Sequence, residues 1–576
     1  MAPETIADAL LARLDDHRPG LRTRESAWTW DEVVRESAQR AQLAQRWRDD
    51  RPFHIGVLLD NVPEFVFWLG GAALAGATVV GINPTRRGEE LEREVRHTDC
   101  QLLITDSAGM QLLDGLDLGV GRDRFFVIDD PEYADSLQQV GDPSPARDAA
   151  VRPGTQMLLL LTSGTTGRSK AARCSQGRLL AIARAGSEKY EISSEDVCYC
   201  PMPLFHGNAL MALWAPALVV GGCVALTPKF TASWFLDDVR AFGATFFTYV
   251  GKAIGYVLAT DERADDAENT LTHAFGTEAS PADRREFLRR FGCHLVEGYG
   301  SSEGGGHVRR AADAPEEALG RPAHEGIAIV DPGSLRTCPP ALVDGTGRVG
   351  NAQEAVGEIV DKQGAAAFEG YYNDPEADAE RVRHGWYWTG DLGYLDEDGF
   401  LHFAGRAGDW MRVDGENVSA LSVERILLRH PGIVVAGVFG VADPKSGDRV
   451  MAAVELAGGV DFASLDLEGF LAEQPDLSTK SAPRFVRVSA QLPTTGSNKL
   501  RKNQMRLDGW RTDDPVHYRH DPRVREYRPM GERDKEALAA EFRENGRQQF
   551  LPSRPGNAGV PGTSTRADTD HGGGRR

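Results

Sequence analysis

Apolar runs and helical patterns alternate along the chain from about residue 51. The runs at 54–59, 77–82 and 156–161 are apolar almost throughout, which is typical of strands buried on both faces of a sheet. Between the first two runs, residues 63–76 have the length and composition of a buried helix. The pattern therefore predicts parallel strands that are connected by covering helices.

The alternation continues to about residue 300. The last predicted helix has Ser280 in position to cap its first turn and Pro281 at its first residue. We therefore expect an α/β fold whose large N-terminal domain consists of parallel sheets covered by helices. The further predicted strands are 196–202, 223–228, 244–250, 271–276 and 294–300, and the predicted helices are 175–186, 208–221, 232–243 and 280–292.

Polar or glycine residues stand where three of these strands end. Thr162 follows the run of leucines, and Gly276 and Gly300 end two later strands. Because ligands of parallel sheets bind beyond the carboxyl ends of the strands, we expect the three loops to converge on one crevice.

The pattern changes after about residue 320. Glycines, Asp-Gly turns and short strands predict a small β-rich unit at about 320–405, within an N-terminal domain that spans 1–406. Residues 407–520 read as a smaller α/β C-terminal domain. A C-terminal extension follows at 521–576, and its Pro, Gly and polar residues predict disorder from about residue 552.

One apolar stretch, residues 65–82, has nearly the length of a membrane-spanning helix. Alanine and glycine dominate its middle, and Asp60 and Asn83 flank it. We favour a buried helix, a turn near Gly76 and then a strand, and so expect no integral membrane span.

The composition narrows the class of protein. The 576 residues suggest two to four domains, and 65 Lys and Arg against 85 Asp and Glu give a net charge of −20, which argues against a nucleic-acid partner. The seven cysteines form no CxxC pair and no zinc spacing, and the N-terminus lacks the features of a signal peptide. We expect a cytoplasmic protein with free thiols; a homodimer and a monomer both stay open.

The segment 161–176, LTSGTTGRSKAARCSQ, has the residues to hold an anion. Its glycines allow backbone N–H groups to point at one centre, its hydroxyls add donors, and Lys170 adds charge. The spacing is not that of a Walker A motif, in which four residues separate two glycines and Lys and then Ser or Thr follow directly. Here Gly164 and Gly167 are three positions apart, and Lys170 comes later with no Ser or Thr after it. Its position after a buried strand favours a binding loop over a flexible surface loop.

Together with this loop, the chain resembles the adenylate-forming enzymes, which include acyl-CoA synthetases, luciferases and nonribosomal-peptide adenylation domains. The resemblance covers about residues 22–510, and its motifs occur in the family's order. They are EGYGSSEGG (297–305), GEI (357–359), WYWTGDLG (386–393), GRAGDWMRVDGENVS (405–419) and PTTGSNKLRK (493–502). The segments 229–258, 368–377 and 409–418 are most similar to actinobacterial fatty-acid–CoA ligases and fatty-acid transport proteins.

The resemblance implies an AMP-forming acyl-CoA synthetase, which carries out a two-step reaction on a small carboxylic acid, either a fatty or an aryl acid. The carboxylate attacks the α-phosphate of ATP in the presence of Mg²⁺, and coenzyme A then displaces AMP from the acyl-adenylate. It also implies that the C-terminal domain is mobile and turns between the two steps. Catalysis of this kind consists mostly of charge neutralisation and positioning around phosphate.

The resemblance assigns roles to individual residues. Lys499 would bridge the carboxylate and the α-phosphate, His206 would lie beside the reacting carboxylate, and Glu303 would hold Mg²⁺ with Thr162. Thr162 and Glu303 thus also belong to the ATP site. The other residues implied for ATP are Ser163, Gly164, Thr165, Thr166, Gly167, Lys170, Gly276, Thr277, Glu278, Tyr299, Gly300, Ser301, Ser302, Asp391 and Arg406.

Within that set, Asp391 and Arg406 would contact the ribose, and Tyr299 would stack on adenine. The acid pocket would include His206, Asn208, Val250, Lys252 and Gly300; for Lys252 an outward-pointing side chain is the stronger interpretation. The domain hinge falls at Gly408. Gly415, Glu416 and Asn417 would face the thiol.

Two other functions stay open at this point. Some relatives in secondary metabolism resemble ATP-dependent diazotases, which activate nitrite and pass it to an aromatic amine. A membrane-associated, transporter-like protein would require residues 65–82 to face lipid. ATP–pyrophosphate exchange with different acids separates the first alternative from a CoA ligase.

Overall fold

The computed structural model describes residues 2–163, 169–304, 308–310, 314–344, 349–406, 409–413, 416–478, 480–495, 499–519 and 526–552. Its strands are β1 (Pro19–Arg22), β2 (Ala27–Thr29), β3 (His54–Leu58), β4 (Thr78–Gly81), β5 (Cys100–Thr105), β6 (Phe125–Val127), β7 (Gln156–Ser163), β8 (Ser169–Ser175), β9 (Val197–Cys200), β10 (Cys223–Leu226), β11 (Phe246–Val250), β12 (His273–Thr277), β13 (His294–Glu297), β14 (Val308–Arg309), β15 (Arg321–Pro322), β16 (Ile327–Val330), β17 (Gly357–Asp361), β18 (Val382–Arg383), β19 (Trp386–Leu395), β20 (Leu401–Arg406), β21 (Trp410–Val413), β22 (Glu416–Ser419), β23 (Ile433–Ala442), β24 (Asp448–Leu456), β25 (Phe485–Val488), β26 (Val516–Tyr518) and β27 (Arg528–Pro529).

The α-helices follow the same chain order. They are α1 (Ile6–Leu11), α2 (Trp30–Trp47), α3 (Pro63–Ala75), α4 (Gly88–His97), α5 (Ser107–Leu113), α6 (Pro131–Val140), α7 (Gln176–Lys189), α8 (Gly207–Ala209), α9 (Ala215–Val220), α10 (Phe235–Phe242), α11 (Ala253–Leu258), α12 (Pro281–Phe291), α13 (Ala352–Ala355), α14 (Pro375–Arg381), α15 (Ala420–Leu427), α16 (Leu467–Ala472), α17 (Lys502–Asp508) and α18 (Glu532–Glu544). A π-helix, Leu210–Trp214, joins α8 to α9.

Two mainly parallel sheets form the N-terminal part, as the alternation predicted. The first has the strand order β6-β5-β3-β4-β7-β8, and the second has the order β13-β12-β11-β9-β10-β1-β2. Each ends in one antiparallel pair, β7–β8 and β1–β2. The sequence pattern gave no strand for residues 169–175, yet β8 is buried at Ala171, Ala172 and Cys174, where small side chains fit against the sheet.

The apolar stretch at 65–82 is buried. Pro63 starts α3, Gly76 ends it in a left-handed conformation with φ 70°, and β4 follows. Trp68 on this helix is fully buried and packs within the core shared by both sheets. In the described ranges, no helix has the length and apolarity that crossing a membrane requires.

The β-rich unit is an antiparallel sheet in the order β16-β17-β19-β18, with β20 paired to β19. This pairing places Asp391 of β19 directly opposite Arg406 of β20. Antiparallel register thus brings together two residues that lie fifteen positions apart in the chain.

The C-terminal part has its own sheet, in the order β23-β24-β25-β26-β27. Trp510 and Phe542 are fully buried on one side of it, so α18 and the described residues 526–552 pack against this sheet. The segment predicted as an extension therefore contributes to the C-terminal core. The domain boundaries at 406 and 520 stay predictions, and residues 553–576, where disorder was predicted, lie outside the described part.

All seven cysteines are free thiols. Six of them are buried, and Cys338 is half-buried. Burial raises the pKa of Cys100 and Cys200 to about 12, so both are protonated and unreactive at neutral pH.

Candidate active site

A cavity of about 1120 Å³ lies where the two parallel sheets, the β-rich unit and the C-terminal part meet. Thr162 at the end of β7, Thr277 at the end of β12 and the loop 298–304 after β13 line one side of it. Asp391, Arg406 and Lys499 close it from the other side. The predicted convergence of three loops is thus observed, and the crevice lies between two sheets because β7 belongs to the first sheet and β12 and β13 to the second.

Glu303 is buried beside the end of β7. Its Oε1 accepts hydrogen bonds from the Thr162 hydroxyl at 3.4 Å and from the Tyr371 hydroxyl at 3.1 Å. Arg381 Nε donates to the same Tyr371 oxygen at 3.1 Å. The carboxylate is therefore held at the cavity wall by two hydroxyls that both bond Oε1, and none of the described residues donates to Oε2.

Asp391 lies at the far wall of the cavity. Its Oδ2 accepts a hydrogen bond from the Tyr299 hydroxyl at 2.9 Å, and its Oδ1 lies 3.6 Å from Arg406 Nε. Burial raises the pKa of Asp391, and the charge of Arg406 opposes this shift. The group is a hydrogen-bond acceptor that is pre-oriented toward the cavity.

Lys499 extends from the C-terminal part into the cavity. Its Nζ lies 3.0 Å from Oε1 of Glu278, which follows β12. Burial and the positive charge of Lys499 lower the pKa of His206 to about 4, so its imidazole is neutral at pH 7. His206 caps α8 by accepting the Asn208 N–H at its Nδ1, at 3.3 Å, and this bond defines the tautomer with the proton on Nε2.

Lys170 lies on β8, directly opposite Thr162 of β7 in the antiparallel pair. It is buried, its Nζ lies 2.9 Å from Oε2 of Glu380, and it stands 5.4 Å from the centroid of the Tyr371 ring. The predicted residues Gly164, Thr165, Thr166 and Gly167 lie outside the described residues, as does the side chain of Ser163.

The remaining predicted residues divide into two groups. Ser301, Ser302, Gly300, Asn208 and Val250 line the cavity. Gly276 lies behind the cavity wall, where a Cβ would stand 2.4 Å from the Tyr249 ring, so glycine is needed there for close packing. Lys252 is half-buried at the start of α11 and is not among the described residues that line the cavity, although its charge helps to lower the pKa of Glu278.

Four other predicted residues cannot be placed fully. Gly408 and Gly415 lie outside the described residues. Glu416 and Asn417 form the start of β22, and their side chains lie outside the described part.

The structure adds residues that the motifs did not indicate. Tyr371 and Arg381 hold Glu303, and Arg178 Nη2 donates to the Ser302 carbonyl at 2.7 Å. The π-helix at 210–214 contributes Met211 to the wall. A π-helix within a helical segment is frequent at functional sites, and the apolar run 208–221 carried no local signal for it.

The sequence matches two families of known proteins. Residues 12–372 match the AMP-binding enzyme family, and residues 422–499 match the AMP-binding enzyme C-terminal domain. A steroid-22-oyl-CoA synthetase of Rhodococcus jostii is 61% identical over 547 residues, which covers 95% of this chain and 99% of the relative. A medium/long-chain-fatty-acid–CoA ligase, FadD17, of Mycobacterium tuberculosis is 41% identical and covers 89% and 98% of the two chains.

Solved structures share the fold. The anthranilate CoA ligase AuaEII, in complex with anthranoyl-AMP, superposes with a TM-score of 0.77 at 21% identity and covers 88% of this chain and 97% of its own. The ATP-bound MatB of Rhodopseudomonas palustris has a TM-score of 0.73 at 22% identity and covers 87% and 98%.

The family match spans well over half of the chain and the relatives cover nearly all of it. The chain belongs to the AMP-binding, adenylate-forming enzymes and is an AMP-forming acid–thiol ligase that uses ATP, Mg²⁺ and coenzyme A.

Proposed function

We propose that this acyl-CoA synthetase activates the side-chain carboxylate of a steroid-type polycyclic acid. The 61% identity to a relative named steroid-22-oyl-CoA synthetase supports this substrate class over a simple fatty acid. The supporting structural observation is the cavity itself, which continues from the reacting end along α7 and the π-helix. Its wall there is formed by small residues of α7, Ala181, Ala185 and Gly186, facing Met211 and Phe275.

Because several of the α7 residues that line the cavity are small, this part of the cavity is wide as well as deep. A flat, rigid ring system needs a slot bounded by apolar and aromatic surface, and Phe275 and Met211 supply such surfaces. A flexible alkyl chain would lose more conformational freedom on binding in the same slot. These features favour the rigid acid.

The first half-reaction joins the carboxylate to the α-phosphorus of ATP and releases pyrophosphate. Lys499 would donate to the attacking carboxylate oxygen and to the α-phosphate as negative charge moves between them. Neutral His206, with its proton on Nε2, would donate to the same carboxylate without trapping it as an ion pair. In the second half-reaction the thiol of coenzyme A attacks the acyl carbon, and AMP leaves.

Glu303 and Thr162 fit the needs of a magnesium site. Mg²⁺ prefers oxygen ligands and keeps phosphate and water oxygens in its shell, so a single carboxylate and a hydroxyl suffice on the protein. The described residues include no cluster of three or more acidic, His or Cys side chains, in agreement with such a shared site. The bound ion would neutralise phosphate charge, and Tyr371 and Arg381 keep Glu303 turned toward it.

The nucleotide would lie along the opposite wall. Asp391 would accept the ribose hydroxyls, with Arg406 beside it, and Tyr299 would contact adenine while its hydroxyl orients Asp391. Lys170, with the hydroxyls and N–H groups of 162–167, would contact the phosphates. The C-terminal domain would turn about a hinge at Gly408, and residues 415–417 would face the thiol of coenzyme A.

The names of both relatives described above contain CoA. They therefore support coenzyme A as the acceptor, over the alternative reaction in which nitrite is activated and passed to an aromatic amine. Supply of ATP and coenzyme A, and seven free thiols, favour the cytoplasm as the site of action. We further propose a homodimer, which light scattering of the purified protein tests directly.

A substrate panel tests the proposed class. AMP release is measured with and without coenzyme A on a 3-oxo steroid acid with its carboxylate at carbon 22, on medium- and long-chain fatty acids, and on nitrite. We expect the steroid acid to give the highest kcat/KM and a CoA thioester. A higher kcat/KM for any fatty acid, or turnover of nitrite without thioester, contradicts the proposal.

A further inference from the structure

One face of α7 forms a continuous side of the cavity. The residues that line it recur three or four positions apart, which places them on a single face of the helix. They are Arg178, Ala181, Ile182, Ala185, Gly186 and Lys189. The helix therefore runs along the length of this side of the cavity.

The two ends of this face have different surroundings. At the N-terminal end, Arg178 Nη2 donates to the carbonyl of Ser302, one of the residues implied for ATP, at 2.7 Å. Lys189 follows eleven residues later, which at 1.5 Å per residue is about 16 Å along the helix axis. Lys189 thus lies at the end of this helix face that is far from the reacting carboxylate, and it is the polar side chain there.

Lys189 lies over an aromatic surface. Its Nζ is 5.4 Å from the centroid of the Tyr190 ring and 5.9 Å from that of Phe275, and the two rings stack with their centroids 4.3 Å apart. No acidic side chain within the described ranges forms an ion pair with it. The side chain is exposed along the cavity wall, and partial desolvation there lowers the pKa of its ammonium.

We propose that Lys189 recognises a neutral oxygen acceptor, a ring ketone or hydroxyl, at the end of the acid opposite its carboxylate. This inference rests on the proposed function, because a fused-ring steroid acid carries its ring oxygen at that end. The Tyr190–Phe275 pair supports the flat terminal ring, and the ammonium donates to its oxygen.

The same arrangement disfavours plain fatty acids. Lys189 is exposed where it lines the cavity, so its donors are open to water before the acid binds. A methyl terminus at this position would displace that water and offer the ammonium no acceptor in its place. Sites built to donate a hydrogen bond discriminate strongly against analogues that lack the acceptor. Lys189 would therefore determine specificity without touching the reacting atoms.

Lys189→Met tests this assignment, because methionine keeps most of the side-chain volume and removes the charge. On the full-length enzyme, kcat/KM is measured for a 3-oxo steroid acid and for the same acid lacking the ring oxygen. We expect the variant to lose about tenfold or more on the oxo acid and to stay within about twofold on the deoxy acid. Lys229→Met, at an exposed lysine paired with Asp60, is the matched control and should change neither value.

Equal losses on both steroid acids overturn the inference, and so does an unchanged preference for the oxo acid. A second pair of substrates, a long-chain fatty acid and its ω-hydroxy analogue, separates this failure from that of the proposed function. If no steroid acid is turned over, the proposed function fails. Lys189 is then judged on the fatty-acid pair, where a preference for the ω-hydroxy acid that disappears in Lys189→Met still supports the inference.

Discussion

Lys499 Nζ lies 3.0 Å from Oε1 of Glu278, and this ion pair joins the C-terminal part of the chain to the loop after β12. Glu278 has φ 80°, a left-handed conformation that a residue with a side chain adopts at an energetic cost. Its backbone N–H and that of Ala279 donate to the buried Glu297 carboxyl at 2.9 and 3.0 Å, which holds the strained turn. The left-handed turn thus orients the carboxylate of Glu278 toward Lys499.

We predict that Glu278→Gln slows adenylate formation by about threefold to fivefold. Both partners are partly exposed, 33% for Lys499 and 44% for Glu278, so the pair is worth about 1 kcal/mol or less. Without the charge, Lys499 spends less time over the cavity before substrate binds. ATP–pyrophosphate exchange measures the step.

Thioester formation from a supplied acyl-adenylate is the control for Glu278→Gln, because that step does not require Lys499 in the cavity. A rate of adenylate formation equal to or above that of the native enzyme would mean that Glu278 restrains the lysine instead of positioning it.

Lys499→Ala should lower adenylate formation by about a hundredfold or more, since it removes the positive charge proposed to follow the transferring negative charge. Conversion of a supplied acyl-adenylate to the thioester should proceed at a near-native rate. Lys499→Arg keeps a charge in a different geometry and should recover only part of the loss. Equal loss of both half-reactions in Lys499→Ala would contradict the assigned role.

Asp391→Asn should raise the KM for ATP by about tenfold or more. The carboxylate accepts from Tyr299 and would accept from the ribose hydroxyls, whereas the amide has one acceptor oxygen and would oppose its NH₂ to a donor. The same substitution should have a smaller effect with 2′-deoxy-ATP, which lacks one of the two hydroxyls. An identical increase with both nucleotides would place Asp391 away from the ribose.

The sequence allowed the local elements of the fold to be predicted. Ser280 and Pro281 start α12 with a reciprocal capping box, and Gly76 ends α3, because caps depend on adjacent residues alone. The strand at 169–175 was missed, since small residues and the charged Lys170 and Arg173 leave it without an apolar run. The π-helix was missed for a similar reason, because packing against α7 and β11 stabilises it and no residue type requires it.

In the candidate active site, too, residues within local motifs could be predicted from the sequence and contacts between distant segments could not. Residues within sequence motifs, such as Glu303 and Asp391, could be named in advance, although their partners could not. Tyr371 donates to Glu303 from about 70 residues further along the chain, and Arg381 donates to Tyr371, a separation over which no local pattern extends. The acid pocket could be predicted least, because its shape follows from how α7 packs beside the π-helix.

Glu297 holds the turn that carries Glu278, and its protonation makes the stability of the fold depend on pH. Burial raises the pKa of Glu297 to about 7 from its ordinary value of 4.5. Because the folded-state pKa exceeds the unfolded one, the stabilisation associated with the proton is complete below about pH 4.5 and is lost as the pH rises to about 7. Glu297→Gln removes this titration, so the difference in Tm between the native enzyme and the variant should change between pH 5 and 7 and stay constant above pH 8. Glu286→Gln, at an exposed carboxylate on α12, is the control and should show no such dependence in that range. A difference in Tm that is independent of pH would mean that Glu297 is ionised in the fold throughout this range.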